Sequence, residues 1–168
     1  MLFRSLNTVA FEKGKEVAFV LRELLASMSL ETVVKTSGKT GLHVFVPIER
    51  TLDFDAARKV SEMVGRHLVR LRPKDVTVEW SVPKRTGKIF MDYNMNVRGK
   101  TLNVAYSPRG APGAPVSMPL TWEELAKAHP LDFRITNAAE RLAGTGDRWR
   151  DAVTKKQSLE RALESAKA

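Results

Sequence analysis

The chain has 168 residues, 43% of them apolar, which is enough for one domain with a real core. Twenty-eight Lys and Arg against nineteen Asp and Glu give a formal net charge of +9, which favours a polyanionic partner such as nucleic acid or a nucleotide. There is no cysteine, which excludes a disulfide framework and a thiolate metal site. No run of about 18 apolar residues and no secretory leader is present, so a reducing, cytoplasmic setting without a membrane is expected.

Met1 to Asn7 reads as a short strand or a start. Val17, Val20, Leu21, Leu24, Leu25 and Met28 recur at helical spacing, which predicts an amphipathic helix over 11–29. A short strand (32–34), a glycine-broken turn and a second strand (42–46) follow. In the turn, Lys35-Thr36-Ser37-Gly38-Lys39-Thr40-Gly41 combines two glycines with hydroxyls and two lysines. Such a turn can be a plain hairpin, or it can be a concave anion site built from inward N–H groups. It is not a Walker phosphate loop, whose Gly-Lys-Ser/Thr leads into a helix. His43, Phe45 and Pro47 share one face of the exit strand, which puts His43 at the mouth of the turn.

A second helix is expected over 53–71, closed by Pro73, with Ala57, Val60, Val64, Leu68 and Leu71 on one stripe. Strands are expected over 75–80, 88–93 and 101–106. Four prolines and two glycines make 107–119 a loop. Thr121 is a good N-cap, and Thr136 or Asn137 can cap a further helix ending near Gly144. Residues 154–168 are polar and helix-prone. Helices between groups of hairpins predict an α+β fold with a largely antiparallel sheet.

Asp92 lies inside a strand, where aspartate is disfavoured, so it is either an edge residue facing water or a paired or metal-bound carboxylate. Lys84, Arg85, Lys88, Arg98, Lys100 and Arg109 surround it in sequence and could follow a line of phosphates, or form a solvated face. Trp80, Trp122 and Trp149 read as packing residues.

These motifs together carry a resemblance. Lys35 to Pro47 resembles the second motif of the archaeo-eukaryotic primase superfamily, and within it the polymerase domain of bacterial ATP-dependent ligase D. Lys88-Ile-Phe-Met-Asp92-Tyr-Asn-Met-Asn96 resembles the third motif. Gly99-Lys-Thr, Tyr106-Ser-Pro-Arg109 and Gly113 to Trp122 resemble the following loop, and Asp132 to Asn137 and Gly146 to Trp149 the C-terminal end. The resemblance implies a primase-polymerase core, an RRM-like sheet packed with helices, over residues 1–150, with 151–168 as a polar helical tail. It implies nucleotide transfer to a 3′ hydroxyl at DNA double-strand breaks in non-homologous end joining, with Mg²⁺ or Mn²⁺ and often ribonucleotides. Its implied partners are DNA ends, nucleoside triphosphates, Ku and an ATP-dependent ligase.

By the same resemblance Ser37, Gly38, His43 and Arg109 hold the triphosphate, with Lys39 and Lys100 as helpers; the family's turn lysine often falls where this chain has Thr40. Asp92 corresponds to the third catalytic carboxylate and a metal ligand, and His43 is the other candidate catalytic residue. The family's first motif, a strand ending in Asp-x-Asp, falls near Leu2-Phe3-Arg4-Ser5-Leu6, which has no aspartate. The expectation is a domain incomplete at its N-terminus: a truncated or degenerate polymerase, a non-catalytic nucleotide- or DNA-end-binding module, or one half of a split domain.

Overall fold

A computed structural model describes residues 2–4, 8–152 and 154–165. Ser5 and Leu6 of the first-motif region lie outside the described residues. The apolar stripe read from the sequence folds as α1 (Thr8–Ser27), which buries Phe11, Val17, Ala18, Leu21 and Leu25. Strand β1 (Leu2–Arg4) precedes it, and β2 (Val33–Thr36) and β3 (Leu42–Phe45) flank the glycine turn. Helix α2 (Phe54–Leu71) starts where Asp53 accepts a hydrogen bond from the Ala56 amide at 2.7 Å, a side-chain cap for an otherwise orphan donor. Gly65 on α2 faces Val78 and Met91; an added Cβ would lie 3.2 Å from Val78, so the helix can press close to the sheet there.

Two of the expected strands are shorter or absent. β4 covers only Val76–Thr77, because the Thr77 hydroxyl accepts from the Glu79 amide and turns the chain. Its neighbour β5 (Ile89–Asp92) is fully formed and buried. Residues 101–106 form no strand: Leu102 and Val104 are exposed, so their alternation has no core to face. β6 is the short pair Pro119–Leu120. Thr121 caps α3 (Trp122–Lys127) in a reciprocal box with Glu124, at 3.1 and 2.9 Å. The next helix, α4 (Ile135–Thr145), begins two or three residues earlier than expected, with Arg134 rather than Thr136 or Asn137 at its cap, and ends at Gly146 with φ 69°.

The six strands make one sheet in the order β4-β5-β1-β3-β2-β6, antiparallel throughout except for β4 beside β5. This is the expected α+β, largely antiparallel architecture. Register and alternation sort the side chains. Val34, Leu42, Val44 and Met91 belong to the core that α1 and α2 cover, while Lys35, His43, Phe90 and Asp92 take the opposite face. The described residues after 150 dock on this body. Helix α5 (Leu159–Ser165) buries Leu159 and Ala162, and Gln157 donates to the carbonyls of Glu31 and Pro47, each at 3.0 Å.

Candidate nucleotide site

The face opposite the helices carries a single row. Pro119, Lys35, His43, Leu2 and Asp92 are successive cross-strand partners on β6, β2, β3, β1 and β5. Direct partners project to the same face, which sets Lys35, His43 and Asp92 on one side of the sheet. At about 4.8 Å per strand, Lys35 is one step from His43, and His43 is about 10 Å from Asp92 across β1. All three are buried: Lys35 is 0% exposed, His43 4% and Asp92 4%. The edge-facing alternative for Asp92 is therefore excluded. Its Oδ1 accepts from the Asn94 amide at 3.1 Å.

The turn at the end of the row is held by its own serine. Ser37 Oγ accepts from the amides of Lys39 (3.2 Å) and Gly41 (3.0 Å), and the Ser37 amide donates to Gly41 O at 2.8 Å. These two N–H groups thus point at Ser37 rather than outward, and the Ser37 hydroxyl keeps its hydrogen to donate. Gly38 is required by both conformation and space. Its φ is +71°, and an added Cβ would lie 2.5 Å from Arg109 Cγ and 2.8 Å from the Ser117 amide.

The loop carrying Arg109 is stitched, not loose. The Arg109 amide donates to Pro115 O (2.8 Å), Ser117 N to Ser107 O (2.9 Å) and Tyr106 N to Ser117 O (2.7 Å). Thr36 joins it to β2: Thr36 N donates to Met118 O, Met118 N donates to Thr36 Oγ1, and Thr36 Oγ1 donates to Val116 O. Asn103 donates to Ser37 O at 3.3 Å. The loop thereby lays the Arg109 side chain against the turn.

Under this lid Lys35 Nζ donates to Ser117 Oγ, and Ser117 Oγ donates to Thr36 O at 2.9 Å. Burial, and then the Arg109 guanidinium, lower the Lys35 ammonium to about 8. At the far side, Phe45 stacks edge-on against Trp149 with ring centres 4.9 Å apart. Tyr106 Oη donates to Asp147 at 2.7 Å, and burial together with that bond pushes the phenol up to about 12.

The structure thus brings Ser37, Gly38, His43 and Arg109 to one place, with Asp92 in line. Lys39 and Lys100 are exposed on the turn and on the chain after β5. Of the basic residues near Asp92, Arg85 is engaged structurally, its guanidinium 3.5 Å from the Phe90 ring centre and bonded to Glu79 O and Trp80 O. Lys88 donates to Pro73 O. From sequence Lys35 is only turn charge, and Ser117 and Asn103 carry no site signal. A lysine within a strand, directly before the turn, was the available signal for the first.

A metal pair does not fit this donor set. Two-ion catalysis needs carboxylates that bridge both ions. Among the described residues no group of three His, Cys, Asp or Glu side chains is placed to hold a metal. Strand β1, between the His43 and Asp92 strands, carries no acid.

The fold and this face define a class: an α+β domain whose sheet presents a glycine turn, a buried histidine and a buried aspartate under an arginine loop. The family described as "LigD, primase-polymerase domain" matches residues 7–149. The chain is 35% identical over 144 residues to the multifunctional non-homologous end joining protein LigD of Pseudomonas aeruginosa, covering 83% of this chain. It is 34% identical over 132 residues to the protein of that description in Mycolicibacterium smegmatis, covering 79%. The match spans 17% of the length of each relative. Among solved structures, the polymerase domain of Mycobacterium tuberculosis ligase D in complex with DNA superposes with a TM-score of 0.82 at 29% identity, covering 93% of this chain and 54% of that one. The chain belongs to the LigD primase-polymerase domain family. Among its described residues no helix is long and apolar enough to cross a membrane.

Proposed function

We propose that this chain is the nucleotide-binding core of a repair polymerase domain of non-homologous end joining, acting on DNA ends with nucleoside triphosphates, ribonucleotides preferred. The observation that carries the reading is the Arg109 side chain packed on the Gly38 turn, at the end of a row containing His43 and Asp92. Arg109, His43 and the Ser37 hydroxyl supply cationic and neutral donors to a triphosphate, and the exposed Lys39 and Lys100 add attraction for phosphate oxygens. Asp92 holds at most one Mg²⁺ or Mn²⁺ weakly, so primer extension by this chain alone is poor. Ku and an ATP-dependent ligase are the partners this reading implies.

Calorimetry with ATP and Mn²⁺ tests it. Binding is expected, and it weakens at least tenfold in Arg109→Ala and His43→Ala. Equal affinity in wild type and both variants overturns the reading.

A second reading has the missing carboxylates supplied by a separate polypeptide. It is favoured by a cleft of about 160 Å³ beside β3, where among the described residues β1 pairs only with Leu42 and His43. Val44, Val46, Met95 and Asn96 line it. Mixing the chain with a polypeptide carrying an Asp-x-Asp strand should restore primer extension under this reading and leave it unchanged otherwise.

A further inference from the structure

A buried ammonium needs a reason, because burial without full pairing disfavours the charged form. Lys35 is fully enclosed, and the partner of its Nζ is the neutral hydroxyl of Ser117. The charged or titratable groups around it are Arg109 from the loop above and His43 from β3 alongside; β6 presents Pro119. Lys39, on the turn, is exposed. Neither close neighbour supplies a negative charge. Asp92 lies three strand steps away along the row, across β3 and β1. Two cations, Lys35 and Arg109, are thus held together where an anion would relieve their repulsion.

We propose that Lys35 is the buried counter-charge of the triphosphate site, a positioning residue whose protonation is linked to nucleotide binding. The inference rests on the nucleotide reading above and adds a residue and a proton to it. Lys35 does not touch the ligand. It holds Ser117, and through Ser117 the loop that lays Arg109 on the turn. A polyphosphate on Arg109 neutralises the nearest like charge, so the ammonium becomes easier to keep. By linkage, a ligand that favours the protonated form binds more weakly as pH rises through the free protein's titration. In the free protein that titration is centred at about 8. ATP is already fully ionised above that pH, and an ordinary imidazole is already neutral.

The test is MgATP calorimetry at pH 8.5 in two buffers of different ionisation enthalpy, followed by affinity measurements at pH 7.5 and 9.5. For a one-unit rise on binding, wild type takes up about half a proton per ATP, and its affinity falls about sixfold between the two pH values. Lys35→Met takes up none and binds more weakly than wild type at pH 7.5, and the gap between the two narrows about sixfold by pH 9.5. Lys35→Arg keeps its charge, so its affinity is level across the range. Proton uptake that is the same in wild type and Lys35→Met, or a wild-type affinity level from pH 7.5 to 9.5, overturns the proposal while nucleotide binding stands. Absence of MgATP binding in wild type overturns the nucleotide reading and this proposal with it.

Discussion

Replacing Lys35 by methionine should stabilise the fold at neutral pH, against the usual expectation for a core substitution. The ammonium titrates at about 8 in the folded state, against 10.5 for an ordinary lysine. That lowering corresponds to about 3 kcal/mol of cost for carrying the charge inside. Methionine has a similar unbranched length and no charge to bury. It forfeits the bond to Ser117, worth about 1–1.5 kcal/mol. The net expectation at pH 7 is a gain of about 2 kcal/mol. The pH dependence has a definite sign. Between about 8 and 10.5 the unfolded chain holds a proton that the folded chain has released, so wild-type stability rises with pH across that window. Below it the full cost is present. Above it the cost is gone, and Lys35→Met should be the less stable protein by about 1 kcal/mol. Urea unfolding of both proteins at pH 7 and pH 10.5 measures the difference, in which other titrating groups cancel. A variant less stable than wild type by the same amount at both pH values would refute the reasoning.

Gly38→Ala should cost more than about 2 kcal/mol, since the new Cβ meets Arg109 Cγ and the Ser117 amide at positive φ; thermal unfolding and ATP affinity should fall together. Asp92→Asn should leave the fold as stable or more so, because the Asn94 amide keeps an acceptor and a buried charge is removed, while Mn²⁺-dependent ATP binding drops; loss of folding would count against Asp92 as a functional rather than structural acid. Tyr106→Phe should destabilise by about 1 kcal/mol and raise protease cleavage within 107–118, as the tie to Asp147 is cut. Burial raises the Glu124 carboxyl, but the Thr121 amide and the guanidinium groups of Arg141 and Arg148 outweigh it and leave it lowered; its contribution is full above the ordinary carboxylate range and lost as pH falls through the folded value. Acid unfolding of Glu124→Gln should therefore be shallower than that of wild type.

Much of the architecture is written locally. The stripes of α1 and α2, the cap at Thr121 and the turn between β2 and β3 are set by residues within a few positions of each other, and all are present. Trp122 is a packing residue, as expected, buried against Phe19. What could not be read is non-local. Leu102 and Val104 alternate like a strand, but the neighbour that would make them one is not there. Lys35 looked like turn charge because Ser117 and Arg109, which enclose it, come 82 and 74 residues later. Ser37 looked like a phosphate donor, yet its oxygen first serves the turn's own amides. Asp92 could be placed in a strand from sequence, but its burial depended on β4 and β1 flanking that strand.

The three residues of β1 have one further consequence. Leu2 is the link between His43 on one side and Asp92 on the other, so β1 is the seam between their two strands. The first strand in the chain pairs with a partner 90 positions later, and must wait for it. A seam this short is also weakly keyed. A slip by two residues along either pairing would slide the His43 and Asp92 strands past one another by about 7 Å. Any shift at β1 would take the His43 imidazole and the Asp92 carboxylate out of line, so the alignment of the two hangs on the pairing of a three-residue strand.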